Sequence, residues 1–370
     1  MDYKCGITGY AMHSIAGTEE EFNLESNKGY TNLKKDNWTK CIDQSDLEVT
    51  KRIILTTVKR AMVQANYYKI ESTTISLVIS SNFFGNAFWE KDQMCLDFLN
   101  NSLILDLKRE FGINGIILSD STACSSGGSA IVVACQLIED QKTDIVIVLG
   151  YDFESEIPKN GMKRVGALSE KCIAPFSINR TGTDLADGIG CIVLENCDSA
   201  KKRNAHVYAK IMGYGVFSDA YNATSPDPSG RALYRAMKNA IKMSGINKTD
   251  ICYINAHGSG TKLNDMLETE IIKKVFGSHA NKLYINSSKS IIGHTLGAAG
   301  VVELVITLIE MRESIIHPTA NYIGKDEMCD LNYCFELAIY KVIKYALSNS
   351  IGFGGINVSI LLRKGEVIER

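Results

Sequence analysis

Residues 117–135 read ILSDSTACSSGGSAIVVAC, and residues 285–304 read INSSKSIIGHTLGAAGVVEL. Each passes from an apolar, strand-like run through a Ser/Gly loop into a helix of small and apolar residues. The letters match poorly, but the order of elements is the same, as two similar α/β halves facing each other would produce. The rest of the chain alternates in the same way. ISLVISS (75–81) and TDIVIVLGY (143–151) are short continuous apolar runs, the pattern of strands buried on both faces. Between them SSGGSAIVVACQLIED carries apolar residues at helical spacing, so strand, helix and strand imply a parallel sheet with a crossover helix. GIGCIVLEN (188–196) adds another strand. In the second half, RALYRAMKNAIKMSG reads as a helix that stops at Gly245, ICYIN as a strand and NDMLETEIIKKVFG as a helix. YALSNSIGFGGINVSILL reads as two strands about a Gly-rich turn. Near the start, KCGITGYAM predicts a short strand ending at Gly9. Val49, Ile53, Ile54, Val58 and Met62 then mark an amphipathic helix.

Composition narrows the function classes. The chain has 370 residues, 45% hydrophobic and 22% charged, enough for two domains or one large α/β unit. A formal net charge of -2 with no basic tail argues against a nucleic-acid or acidic-membrane partner. No apolar run reaches the roughly 18 residues of a membrane span, and the N-terminus lacks the pattern of a secretory leader. The expectation is a soluble, cytoplasmic protein. Its 11 cysteines include no CxxC pair and no zinc-like Cys/His spacing, so reduced thiols and no metal are expected. Only 5 prolines occur and no flexible linker divides the chain.

Four polar, glycine-containing islands each follow a strand-like run: Thr122–Gly128, Asn255–Asp265, Ser287–Gly300 and Ser348–Asn357. In open α/β sheets, loops after strand C-termini are where ligands bind. Cys124 opens the first island just ahead of a helix, where the macrodipole and unpaired N–H groups favour a thiolate. Read alone, a cysteine there is more often a packing thiol than a nucleophile. His257, Lys289 and His294 read alone are loop residues satisfied by their surroundings or solvated. Phe353, between two glycines, is either a plug in a tight turn or a place where backbone N–H groups meet a ligand.

Taken together, the islands resemble the elongating β-ketoacyl-acyl carrier protein synthases of the thiolase superfamily. TACSSG resembles their nucleophile motif. NAHGSGTKLND resembles their first histidine motif, with Ser259 where Thr is usual. KSIIGHTLGAAG resembles their lysine and second-histidine motif, and ALSNSIGFGGIN their C-terminal Gly-Phe-Gly-Gly turn. GALSEKCIAPFSINRTG, DGIGCIVLE, MGYGVFSDAYNATSPDPSG and HPTAN add to the match, which covers nearly the whole chain and is dense from about residue 120 onward.

The resemblance implies a thiolase fold, α/β in five αβαβα layers with two pseudo-symmetric halves, residues 1–200 carrying the nucleophile and 201–370 the histidines, lysine and Gly-Phe-Gly-Gly turn. It implies a decarboxylative Claisen condensation of malonyl-acyl carrier protein with an acyl chain held on Cys124, in fatty acid or type II polyketide or polyene synthesis. The N–H groups of Cys124 and Phe353 would form an oxyanion hole, with Phe353 also gating the acyl pocket. Neutral His257 and His294 would stabilise the enolate. Lys289 would hold the second-histidine loop with Glu303 as its carboxylate neighbour, and Thr261 and Asp265 would support the His257 loop. No metal or redox cofactor is implied; the substrates ride on phosphopantetheine. The expected partners are an acyl carrier protein, met by Lys51, Arg52, Lys163 and Arg164, and a second subunit, in a homodimer or with a related ketosynthase or chain-length subunit. The alternative is that this chain is itself a non-catalytic or chain-length-determining subunit of a heterodimer. Two departures from the family pattern bear on specificity: the stretch from Ser80 to Cys124 is short, and Thr183 and Asp184 replace an aromatic-aliphatic pair.

Overall fold

The computed structural model describes residues 5–26, 46–67, 73–85, 90, 98–169 and 171–366. Part of the short Ser80–Cys124 stretch therefore lies outside the described residues. The first half contains β1 (Cys5–Ser14), α1 (Leu47–Gln64), β2 (Ile75–Ser80), α2 (Phe98–Phe111), β3 (Ile117–Asp120), α3 (Ser126–Glu139), β4 (Ile145–Asp152), α4 (Glu156–Arg164) and β5 (Gly188–Asn196). The second contains β6 (Ala209–Ser218), α5 (Arg231–Ser244), β7 (Tyr253–Asn255), α6 (Lys262–Phe276), β8 (Tyr284–Asn286), α7 (Ala299–Glu313), β9 (Tyr345–Ile351) and β10 (Ile356–Lys364).

The strands follow the order β3-β2-β4-β5-β1-β6-β10-β9-β7-β8. Read inward from each end, the two halves are the same sheet. β2 is parallel to β3 and β4, while β5 and β1 run antiparallel. Likewise β7 is parallel to β8 and β9, while β10 and β6 run antiparallel. Among the described strands the two halves of the sheet join where β1 meets β6, at Gly6–Lys210 and Ile7–Ala209. The helices α3 and α7 pack against each other between the two sheets, α1 covers the outer face of β1 and β5, and α5 covers that of β6 and β10. That is the αβαβα layering expected from the paired stretches.

The continuous apolar runs follow from this burial. In β4, Val146 and Val148 enter the central core with α3 and α7, while Ile145, Ile147, Leu149 and Tyr151 enter the outer core under α1 and α2. A strand coated on both faces has no polar side to show. The predicted helix stop is present, with Gly245 capping α5 at φ +69. The predicted end of the first strand is not. β1 runs through Gly9 to Ser14, with a register shift between Ile7 and Gly9. Gly9 is there because α1 crosses it: a Cβ would lie 2.0 Å from the carbonyl oxygen of Ala61.

Candidate active site

Cys124 sits in a 3-10 turn, Ala123–Ser125, that leads into α3. Ala123 is held at φ +54, a conformation a Cβ disfavours. Hydroxyls support the turn: Ser126 Oγ donates to the Ala123 carbonyl at 2.6 Å, Ser125 Oγ to the Thr122 carbonyl at 2.6 Å, and the Thr122 N–H to Ser126 Oγ at 2.8 Å. The Gly-Phe-Gly-Gly turn lies against it. A Cβ on Gly352 would come within 2.7 Å of Ser125 Oγ, so only glycine admits this approach. The N–H groups of Phe353 and of Cys124 itself reach the sulfur. Burial pushes the thiol up to about 11, against the pull of the Lys289 charge and of those two N–H groups.

His257 follows β7. Its backbone N–H and that of Gly258 donate to the two carboxylate oxygens of Glu268, at 3.0 and 2.9 Å. Lys289 Nζ donates to the His257 carbonyl at 2.7 Å and faces its ring Nδ1 at 3.3 Å. His294 is fixed by backbone pairing with the segment carrying Thr183 and Asp184: its N–H donates to the Asp184 carbonyl at 2.8 Å. Its ring Nδ1 accepts from the Leu296 N–H at 3.1 Å. An ammonium and an amide N–H can only donate, so both Nδ1 atoms are acceptors and the ring protons sit on Nε2. The rings lie 5.7 Å apart at 80°. Burial first, then the Lys289 charge, push both imidazoles well below their ordinary range, so both are neutral.

Cys124, His257, His294, Phe353 and Thr261 line one cavity of about 430 Å³. Met162, Val165, Ala167, Thr183, Ser259 and Asn264 also line it. Lys289, Glu303 and Asp265 lie behind its wall. Lys289 is ion-paired to Glu303, both fully out of solvent. Asp265 accepts from the N–H groups of Phe176 and Gly260, at 2.8 and 3.2 Å.

Of the four basic residues expected to meet a carrier, Lys51 is corrected. It is buried and bound to Asp106 at 2.7 Å and Glu48 at 3.2 Å, so its ammonium is already neutralised. Arg52 is exposed on α1, and Lys163 and Arg164 are exposed at the end of α4, next to cavity residues Met162 and Val165.

Two supporting residues add to those expected from the motifs, and Arg180 itself lies within the GALSEKCIAPFSINRTG match. Glu268 holds the His257 loop, and Arg180 staples the start of α6, contacting Asp265 at 3.2 Å and the carbonyls of Ser177 and Lys262 at 3.0 Å each. The spacing of Asp265 and Glu268, one helical turn apart, is the available signal for the first.

The sequence profile of the β-ketoacyl synthase N-terminal domain matches residues 34–200, and that of its C-terminal domain residues 208–323. The chain belongs to the β-ketoacyl synthase family. Among its curated relatives, the 3-oxoacyl-[acyl-carrier-protein] synthase 2 of Coxiella burnetii is 39% identical over 262 residues, 69% of this chain and 63% of that protein. The enzyme of the same name from Staphylococcus aureus (strain COL) is 36% identical over 280 residues, 73% of this chain and 66% of that one. The chain thus spans just under two thirds of the length of those relatives. Among solved structures, a type II polyketide synthase ketosynthase in complex with its acyl-carrier protein superposes with a TM-score of 0.86. It is 26% identical, covering 99% of this chain and 100% of the other. The ishigamide ketosynthase/chain length factor, at 23% identity and a TM-score of 0.83 over 98% of this chain and 100% of that one, shares the fold.

Proposed function

We propose that this chain is a β-ketoacyl-acyl carrier protein synthase, an acyltransferase that elongates a chain by decarboxylative condensation. The observation that carries the reading is the pair of neutral imidazoles with both Nδ1 atoms occupied, sharing one cavity with Cys124. Cys124 takes an acyl group from a carrier thioester. A resting thiol pushed up to about 11 must lose its proton as the new thioester bond forms; the Phe353 and Cys124 N–H groups supply the donors for the oxyanion, the carrier's carbon–sulfur bond breaks, and the phosphopantetheine thiol leaves with that proton. Malonyl thioester then enters. The bond to its carboxylate breaks, carbon dioxide leaves, and the electron pair stays on the α-carbon as an enolate. The Nε2–H groups of His257 and His294 donate to the enolate oxygen. The α-carbon attacks the acyl carbon, the carbon–sulfur bond breaks, and Cys124 is regenerated. Lys289 acts from behind, its charge keeping the imidazoles neutral, and Glu303 holds it in place. Thr261 and Asp265 shape the His257 loop.

No metal or redox cofactor enters this chemistry, and the phosphopantetheine arrives on an acyl carrier protein. Exposed Lys163, Arg164 and Lys262 with apolar Val165 and Leu263 at the cavity mouth suit an acidic carrier with an apolar contact. β3 is an edge strand, with Leu118 exposed on it and Ile116 exposed just before it, which suits a second related subunit, in a homodimer or a heterodimer. The described cysteines are free thiols, and among the described residues no helix is long and apolar enough to cross a membrane. Both fit a cytoplasmic enzyme.

Incubation with acyl- and malonyl-carrier protein, read by intact mass, tests the proposal. The expected result is an acyl adduct that Cys124→Ala abolishes. His294→Ala should retain the adduct and lose about 10²–10³ in decarboxylation, the usual effect of removing one oxyanion donor. No adduct, alone or with a related partner subunit, overturns the reading, and full condensation by His294→Ala overturns the role of His294.

A further inference from the structure

The turn that presents Cys124 has a twin. Ala123 at φ +54 and Leu296 at φ +52 open the 3-10 turns Ala123–Ser125 and Leu296–Ala298, which lead into α3 and α7. Gly297 thus stands in the second turn where Cys124 stands in the first. Its N–H is engaged: it donates to Asp152 at 2.7 Å. A Cβ at Gly297 would lie 2.8 Å from that carboxylate and 2.7 Å from the Asn82 nitrogen, so the twin position is filled by the protein itself.

Asp152 ends β4 and is almost wholly buried. Besides Gly297, it accepts from Ser81 Oγ at 2.7 Å, the Asn82 N–H at 2.8 Å and the Phe83 N–H at 3.3 Å. The orientation of Asn82 that suits all its neighbours turns the amide nitrogen to Ser126 Oγ and the Ala123 carbonyl, each at 2.9 Å, and its oxygen to the Gly297 N–H at 3.2 Å. One carboxylate and the loop it orders therefore tie the nucleophile turn to the turn after His294. Leu296, beside Gly297, gives its N–H to His294 Nδ1.

We infer that Asp152 is a positioning residue: by fixing the Gly297 turn it aims the Leu296 N–H at His294 and so holds that imidazole as an Nε2–H donor. A carboxylate suits the task because it only accepts, and four donors converge on it. An asparagine has one carbonyl oxygen, and its NH2 group would face another donor. Burial pushes Asp152 up to about 6 while its donors pull the other way, which leaves it mainly ionised near neutrality. The inference rests on the proposed role of His294 in decarboxylation.

The test uses the full chain labelled with 15N-histidine, the His294 signals being assigned by their loss in His294→Ala. Wild type is expected to show His294 as the Nε2–H tautomer; the other tautomer overturns the inference with no variant needed. Asp152→Asn should shift the His294 ring signals toward a tautomer average and slow malonyl decarboxylation by about 10- to 100-fold, below the loss expected when a donor is removed outright. Cys124 acylation should fall clearly less than decarboxylation, because the Ser125 and Ser126 hydroxyl bonds still hold the nucleophile turn when the Asn82 link loosens. In the His294→Ala background, Asp152→Asn should have no further effect on residual decarboxylation. Unchanged His294 signals, equal losses in acylation and decarboxylation, or additivity with His294→Ala each overturn it. A wild type that neither acylates nor decarboxylates overturns the condensing function instead, and the His294 spectra still test Asp152.

Discussion

The two twin turns share a backbone and differ in what supports them. Around Cys124 the groups that touch the turn are hydroxyls: Thr122, Ser125 and Ser126 exchange short bonds with it, and the one carboxylate nearby, Asp120, is taken up by the Ser129 and Thr122 hydroxyls at 2.8 and 3.0 Å rather than by the turn's N–H groups. Around His294 the support is ionic, with Lys289 and Glu303 paired out of solvent and Asp152 beneath Gly297. The proposed reaction accounts for the difference. A developing oxyanion at Cys124 needs uncommitted N–H groups, and a fixed carboxylate there would compete for them. The imidazoles need to stay neutral, and a buried cation beside them does that. The same fold thus gives one half open donors and the other a buried charge pair.

That difference predicts unequal tolerance. Lys289→Met leaves Glu303 as a buried carboxylate without its partner, and removing one member of a buried pair typically costs about 3–5 kcal/mol. Denaturant unfolding should show a loss of that size, with much of it recovered in Lys289→Met/Glu303→Leu, where neither charge remains. A Lys289→Met protein as stable as wild type would mean the pair is not needed to hold the His294 side.

Where α3 and α7 cross, the twins should be equally intolerant. A Cβ on Gly300 would lie 2.4 Å from the Gly128 nitrogen, and one on Gly127 2.6 Å from the Val301 nitrogen. The obstacle is backbone in both cases, so neither can yield by rotating a side chain. Overpacking of this kind costs about 1–3 kcal/mol or somewhat more. Gly300→Ala and Gly127→Ala should therefore lower stability by similar amounts, measured by thermal unfolding, whereas Gly161→Ala, with nothing within 4 Å, should not. A large difference between the first two would break the equivalence of the turns.

What was legible in the sequence follows the same division. Strand-to-loop-to-helix order in residues 117–135 and 285–304 carried the architecture, because burial on both faces writes long apolar runs. Cys124, His257, Lys289, His294 and Phe353 were legible through motif context, although Cys124 alone resembled any packing thiol. Asp152 and Glu268 were not. Each is an acid in an ordinary element, Asp152 at the end of β4 and Glu268 within α6, and its role comes from backbone donors supplied by other segments of the chain. Lys51 was misread for a related reason. Its partner Asp106 lies 55 positions away, beyond any helical spacing, and turns a seemingly surface cation into a buried one. Gly9 was read as a strand end, since nothing local announces that a helix will cross above it.

The smallest effect distinguishes the two turns by pH. His294 is pushed well below the ordinary imidazole range by burial and Lys289. As pH falls below about 6.5, the unfolded chain takes up a proton there that the folded protein refuses, so this contribution is present above that pH and lost below it. By pH 5.5 the loss is about 1.4 kcal/mol from one such group. His294→Asn lacks the titration, so the stability of wild type relative to the variant should fall by that amount between pH 8 and pH 5.5 in urea unfolding. Cys124 behaves in the opposite sense. Its thiol, pushed up to about 11, keeps its proton when the unfolded chain has begun to lose its own, so its contribution is complete below about 8.5 and is lost as pH rises further. Cys124→Ser against wild type should therefore be level between pH 5.5 and pH 8 and diverge only on the alkaline side. A stability difference for His294→Asn that stays constant from pH 8 to 5.5 would mean that His294 accepts its proton in the folded protein. It would then not be the neutral donor on which the contrast between the turns depends.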